Sequence, residues 1–299
     1  MSRVFSSRAA LPRSFSRDAL PPMPAPRAVL LCPPDAYDVV DVKNPFMERQ
    51  QGRVDRAEAR RQWDALADAF ARCGLAVHRI PPTPGCEDMV FCANQTFPGL
   101  DATGARVCVL SHMTHASRRR EVPAFAAWFA ARGYAVEDAV GPGVPFEGCG
   151  DAVWHPGRRL IWGGCGGRTA RAAYAPLAER FGVPVLTLDL VSPRFYHLDT
   201  CFCPVDETTV LLHPPALAPE GRELVAALFD RIVEVDEHEA VGSFACNAAA
   251  FEGGFVLLQR GAERTVAALL RHGYRVVEVE TGEFLKSGGS VFCLKMGIY

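Results

Sequence analysis

Apolar and polar positions along the chain fall into a unit that recurs five times. Helix-period stretches at 54–72, 118–131, 168–181, 219–230 and 263–272 each run into a short apolar segment, at 75–80, 134–136, 183–188, 232–235 and 274–279. A glycine closes four of the five helices (Gly74, Gly133, Gly182 and Gly273), as a left-handed C-cap favours, because glycine has no Cβ to clash at positive φ. Shorter strand-like runs with turns, such as 160–162 and 209–212, lie between the helices. Five β-β-α-β units in one α/β chain predict a closed, pseudo-symmetric ring, and an α/β sandwich on a parallel sheet is the competing layout.

Composition narrows the classes. The chain has 299 residues, 49% hydrophobic and 22% charged, with a formal net charge of -2. It is long enough to bury a large core. No basic excess points to nucleic acid, and no apolar stretch is long enough for a membrane-spanning helix. Residues 1–27 are rich in arginine, proline and serine, with Asp18 the one acid. They predict a disordered or weakly ordered extension before a single domain at 28–299, with an organellar transit peptide as the alternative. The eleven cysteines are scattered, odd in number and without a CxxC, so a reducing, cytoplasmic setting with mostly buried thiols is expected rather than a disulfide framework. No GxGxxG follows a first strand and no GxxxxGK[ST] occurs, which weakens dinucleotide and P-loop readings.

Candidate chemistry is spread along the chain. Cys293 follows the Gly288-Gly289 pair, a turn that can present a nucleophile, although free cysteine is also a common buried residue. Glu147 and Asp151 flank glycines ahead of a strand-like run. His197 and Asp199 are two apart, which on an extended segment puts both side chains on one face. Each segment alone is equally compatible with a turn or a structural histidine. Together they suit nucleophilic catalysis: the thiolate is the reactive form, a nearby imidazolium favours it, and an imidazole can pass a proton to a leaving group. Several acids around one thiol suit a planar guanidinium, which offers its N–H donors to carboxylates in a fork. The segment 87–94, carrying Asp88 and Asn94, reads as a strand framed by polar groups. Arg118 and Arg168 stand where helices begin, where a cation is electrostatically unhelpful, so a substrate carboxylate is one reason for them and solvated surface charge another.

In order, Asp88-x-Val-Phe-x-x-Asn94, Arg118-x-x-Glu121, Glu147-Gly-x-Gly-Asp151, Arg168-Thr169, His197-Leu-Asp199 and Gly288-Gly289-x-x-x-Cys293 resemble the guanidino-group-modifying superfamily, the pentein-fold enzymes. The resemblance runs from about residue 28 to 294 and implies a five-bladed pseudo-symmetric α/β propeller. It implies that Cys293 attacks a guanidinium carbon, that His197 serves the leaving amine and then water, and that Glu147 pairs with the histidine. It implies substrate contacts or site support from Asp88, Asp199, Asp151, Arg118 and Arg168, and no metal or cofactor. Deiminases and dimethylarginine hydrolases usually carry an acid where Asn94 stands. In this the chain resembles the arginine dihydrolases, which also carry an early asparagine like Asn44, held away from α conformation by Pro45. The expected function is a hydrolase of arginine or a close derivative, giving ornithine and ammonia. Alternatives are a dimethylarginine hydrolase giving citrulline, an amidinotransferase, and a binding protein on the same fold. The expected partner is a small guanidino substrate, with a homodimer one open assembly.

Overall fold

Local signals set the helices. The Asp55 side chain accepts from the Glu58 backbone N–H and starts Arg56–Arg72, whose apolar face buries Trp63, Leu66 and Phe70. Gly74, Gly133, Gly182 and Gly273 take φ of 87°, 78°, 67° and 85°, so each serves the left-handed turn expected of it. The helix expected at 118–131 is broken into Ala116–Arg119 and Val122–Ala130. Pro123 explains the break, because it lacks an N–H and is tolerated only in a helix's first turn. The helix expected from 168 is Tyr174–Phe181, so Arg168 lies in the preceding turn and not at a helix start.

The computed structural model describes residues 3–299. It forms five blades, each with a first and second strand antiparallel, then a helix, then a third strand parallel to the second. Blade two is Thr96–Leu100, Arg106–Leu110 and Ala135–Glu137. Blade three is Ala152–Trp154, Ile161–Cys165 and Val185–Asp189. Blade four is Phe202–Pro204, Thr209–Leu212 and Arg231–Glu234. Blade five is Ala249–Phe251, Phe255–Gln259 and Arg275–Val279. Blade one takes its second and third strands from Ala28–Leu31 and Ala76–Arg79. Its first strand is Met296–Ile298, from the far end of the sequence. That antiparallel pairing, Met296 against Leu30 and Ile298 against Ala28, closes the ring. Apolar clusters fill the spaces between sheets and helices, around Trp162, Trp63, Phe181 and Phe129.

The first strands of all five blades line the axis. The turn just before each carries a polar residue: Asn94, Asp151, Asp199, Asn247 and, three residues before Met296–Ile298, Cys293. Repetition of one unit thereby gathers residues from five distant parts of the sequence at one end of the axis.

The expectation of a disordered or weakly ordered extension is not met for residues 3–27; Met1 and Ser2 lie outside the described residues. Val4–Phe5 pairs in parallel with Val185–Asp189, and Phe5, Leu11, Phe15 and Leu20 pack on the core. Arg17 Nη1 donates to the Leu228 carbonyl at 3.1 Å. Proline and arginine dominate the composition, but the spaced apolar residues hold the segment down. No helix among the described residues is long and apolar enough to cross a membrane, and the eleven cysteines are all unpaired.

Candidate active site

The turn at 87–94 is the first departure from expectation. It is not a strand but a series of tight turns, with the Phe91 N–H bonded to the Asp88 carbonyl. The turns place Asp88 and Asn94 in a narrow cleft of about 20 Å³. Lys43, Asn44, Arg118, Arg168, Tyr196, His197 and Cys293 also line it. Asp199 touches Cys293 directly, so nearly all of the sequence-predicted site residues meet here. Asp151 does not line the cleft. Its Oδ1 accepts from the Leu198 N–H at 2.9 Å, and it supports the turn that carries His197 and Asp199. That turn is a single 3₁₀ turn, Leu198–Thr200, rather than the extended segment expected.

Cys293 is 3% exposed. Its Sγ donates to Asp199 Oδ2 at 3.1 Å and accepts from Asn247 Nδ2 at 3.1 Å. Burial and then the Asp199 charge push the thiol well above its ordinary range. Burial also pushes Asp199 up to about 7, against the pull of the thiol hydrogen bond and of Lys295. This corrects the expectation of a thiolate favoured by an adjacent imidazolium: the group in contact with the sulfur is a carboxylate, and with burial it disfavours the thiolate. His197 turns instead to Glu147, with Nε2 2.8 Å from Oε2. Burial alone would raise the Glu147 carboxyl. The hydrogen bond and charge of His197, with the charges of Arg168 and Arg118, outweigh it and hold Glu147 below the usual carboxylate range.

The two arginines differ in freedom. The Arg118 guanidinium is spent on Glu121, Asn94 Oδ1 (2.9 Å) and the Asp88 and Phe91 carbonyls. It is a support for the cleft, with no donor fork left for a substrate carboxylate. Arg168 gives Nη1 to Glu147 (2.9 Å) and Nη2 to the Lys43 carbonyl (2.6 Å), and stacks over Tyr196 at 5.0 Å. Its Nε has no partner among the described residues. Both polar groups of the Asn44 side chain are used, Nδ2 on the Ser287 carbonyl and Oδ1 on the Phe46 N–H. Asn44 thus pins the loop over the cleft and does not point a free amide at a ligand.

Two residues were missed by sequence reasoning. Asn247 Oδ1 accepts from the Ser290 and Cys293 N–H groups, which fixes the turn bearing the thiol. No spacing marks it; only its place before the fifth blade's first strand does. Lys43 is an ammonium inside the cleft, 2.9 Å from Asp88 and 3.1 Å from Glu87, and also paired with Asp41. Burial works against its charge, but Asp88 and the hydrogen bonds of Asp41, Asp88 and Glu87 hold its pKa above the ordinary lysine value. Asp88 Oδ1, Asn94 Nδ2 and Asp199 Oδ1 are buried with no hydrogen-bond partner. Buried polar atoms are rarely left so, and here two acceptors and one donor are available to a bound molecule. No group of three or more His, Cys, Asp or Glu among the described residues could hold a metal ion.

No family model matches the chain. Individual relatives do. It is 36% identical over 273 residues to the bifunctional arginine dihydrolase/ornithine cyclodeaminase ArgZ of Synechocystis sp., covering 90% of this chain and 37% of that protein. It is 34% identical over 276 residues to the N(G),N(G)-dimethylarginine dimethylaminohydrolase of Mycobacterium tuberculosis, covering 92% and 87%. The chain therefore spans little more than a third of the bifunctional relatives and most of the dimethylaminohydrolase. Among solved structures, the product-bound N-terminal domain of ArgZ, an arginine dihydrolase, superposes with a TM-score of 0.85 at 34% identity, covering 91% of this chain and 97% of that one. The Pseudomonas aeruginosa dimethylaminohydrolase, in a Cys-to-Ser form with citrulline, gives 0.75 at 22% identity and supports the fold. With the five-bladed ring and the ordered site motifs, these likenesses show that the chain belongs to the guanidino-group-modifying, pentein-fold superfamily of arginine dihydrolases and dimethylarginine hydrolases.

Proposed function

We propose that this protein hydrolyses the guanidino group of arginine or a close derivative through a covalent intermediate on Cys293, and that it acts as an arginine dihydrolase, giving ornithine, carbon dioxide and two ammonia. The observation that carries the dihydrolase reading is Asn94. Its Oδ1 is committed to Arg118, so its unpartnered Nδ2 offers the cleft a donor where a carboxylate would offer an acceptor.

The resting thiol is neutral because burial and Asp199 oppose the thiolate. An arriving guanidinium brings the missing positive charge and donates N–H groups to Asp88 and Asp199. The thiol proton passes to His197 as the sulfur attacks the guanidinium carbon. His197, held by Glu147, gives a proton to the departing amine, so ammonia leaves and a thiouronium remains. His197 then takes a proton from water, whose oxygen adds to the same carbon. At that stage the carbon carries an oxygen, and a donor such as Asn94 Nδ2 stabilises it as negative charge develops. Expulsion of the second ammonia instead of sulfur leaves a thiocarbamate, and a second water releases the carbamate, which yields ornithine and carbon dioxide. Arginine and two waters balance ornithine, carbon dioxide and two ammonia.

The second reading is a dimethylarginine hydrolase that stops at citrulline, which the likeness to the M. tuberculosis protein supports. Incubation with L-arginine and with asymmetric dimethylarginine separates the two. Ornithine with two ammonia per turnover is expected, and citrulline from either substrate would overturn the dihydrolase reading. Cys293→Ser is expected to lower ammonia release by about 10³-fold or more, as loss of a nucleophile typically does. Undiminished release would remove Cys293 from the mechanism.

A further inference from the structure

A second cavity lies on the propeller axis, on the other side of the Cys293 turn from the cleft. It holds about 330 Å³, within the range of small-molecule sites. Its walls come from the first strands of all five blades, and Phe97, Trp154, Phe251, Phe292 and Tyr299 give it an aromatic lining. Lys295 lines it and does not line the cleft.

Lys295 Nζ sits 3.7 Å from the centroid of the Phe292 ring. Among the described residues it has no carboxylate within 4 Å and no hydrogen bond, in contrast to Lys43. Lys295 is half-buried, and a partly desolvated ammonium is ordinarily paired. The acids at the cavity rim are engaged elsewhere: Asp206 with Tyr274 and the Thr208 and Thr209 N–H groups, Glu207 with Arg158, while Glu252 is exposed. His155, also in the lining, accepts from Trp162 Nε1 at 3.1 Å, and burial lowers its pKa to about 4, so it is neutral. Among the described residues, Lys295 is thus the one cation that this cavity presents.

We propose that the axial cavity is a second small-molecule site, for an organic monoanion with an apolar body: the carboxylate meets Lys295 Nζ and the body packs on the aromatic walls. An ammonium over an aromatic face keeps its open side for an anion, and the dry walls strengthen that attraction. Burial lowers the Lys295 pKa against the opposing pull of Cys149, Cys203, Asp199 and Cys293, and Lys295 in turn favours the Asp199 carboxylate. An anion in the cavity offsets that pull, so its presence is felt at the group touching the thiol.

The test is calorimetric titration of the intact protein with 3-phenylpropionate and with its neutral amide. The wild type is expected to bind one acid per chain and to prefer acid over amide by about tenfold or more, a typical worth of one charge-assisted contact. Lys295→Met should abolish that preference and Lys295→Arg should keep it, with melting curves confirming that each is folded. No saturable binding of the acid, equal affinity for acid and amide, or an undiminished preference in Lys295→Met would overturn the proposal. The acid–amide comparison on the wild type needs no variant, so a variant that fails to fold leaves the test standing. The readout is binding rather than turnover, so it is independent of the reaction proposed for the cleft.

Discussion

Asp199 shows most directly how one residue's surroundings set its chemistry. The family resemblance assigns it to the substrate and Glu147 to the histidine; in the fold His197 does bond Glu147, and Asp199 touches the Cys293 sulfur as well. Because burial raises Asp199 to about 7, it is largely neutral below that pH and anionic above it. A cationic guanidinium binds the anion better. KM for arginine should therefore fall as pH rises through about 7, and Asp199→Asn should raise KM and flatten that dependence in steady-state pH profiles. Asn247→Ala should leave the Cys293 and Ser290 N–H groups unpaired, at a cost of about 1–3 kcal/mol seen in denaturant melts, with kcat falling as the thiol loses its fixed position. Asn94→Asp replaces a donor with an acceptor beside Arg118. Product analysis by chromatography should show citrulline rising at the expense of ornithine. Candidate residue types were readable along the chain because guanidinium chemistry needs a thiol, an imidazole and carboxylates. Their pairings were not, because a pairing is set by distances between blades. Asn247 and Lys43 escaped for the same reason: an isolated amide or lysine has no spacing that marks it.

Elements were legible where the signal is local. Four helices end at glycines that adopt positive φ, and Asp55 caps the first long helix as its residue type allows. Elements failed where a close approach overrides propensity. The apolar run at 89–93 looks like a strand, but the chain there must fold tightly beneath the Cys293 turn, and the Ala93 N–H bonds the Cys293 carbonyl at 3.1 Å. The two turns are fitted to each other at Gly289, where a Cβ would lie 2.5 Å from the Phe91 ring and 3.2 Å from Cys293 Cβ. Gly289→Ala should therefore shift the nucleophile's turn. The expected result is a loss of about 1–3 kcal/mol in stability and a marked fall in kcat, measured by melting and by single-turnover ammonia release. A variant that keeps wild-type kcat would show that the turn tolerates the shift.

At the scale of the whole molecule, the ring is closed by three residues from the far end of the chain. Truncation after Lys295 removes Met296–Ile298 from its pairing with Ala28–Leu31. It should broaden or abolish the cooperative thermal transition and eliminate turnover, as followed by circular dichroism and ammonia assay. The ββαβ repeat, the helix ends and the inventory of reactive side chains were determined by the sequence alone. They depend on hydrophobic period, on the absence of a Cβ at left-handed turns and on the fixed chemistry of each side chain, all properties of neighbouring residues. Which strand completes the first blade, the ordering of residues 3–27 against blades three and four and the partners of Cys293 and His197 were decided only by the tertiary structure. So were the saturation of Arg118 and the solitary Lys295 at the axis. These depend on burial and on contacts between residues as far apart in sequence as Ala28 and Ile298. The same burial that brings the groups together sets their charge, so the neutral thiol at Cys293 is a property of the folded ring and not of the segment that carries it.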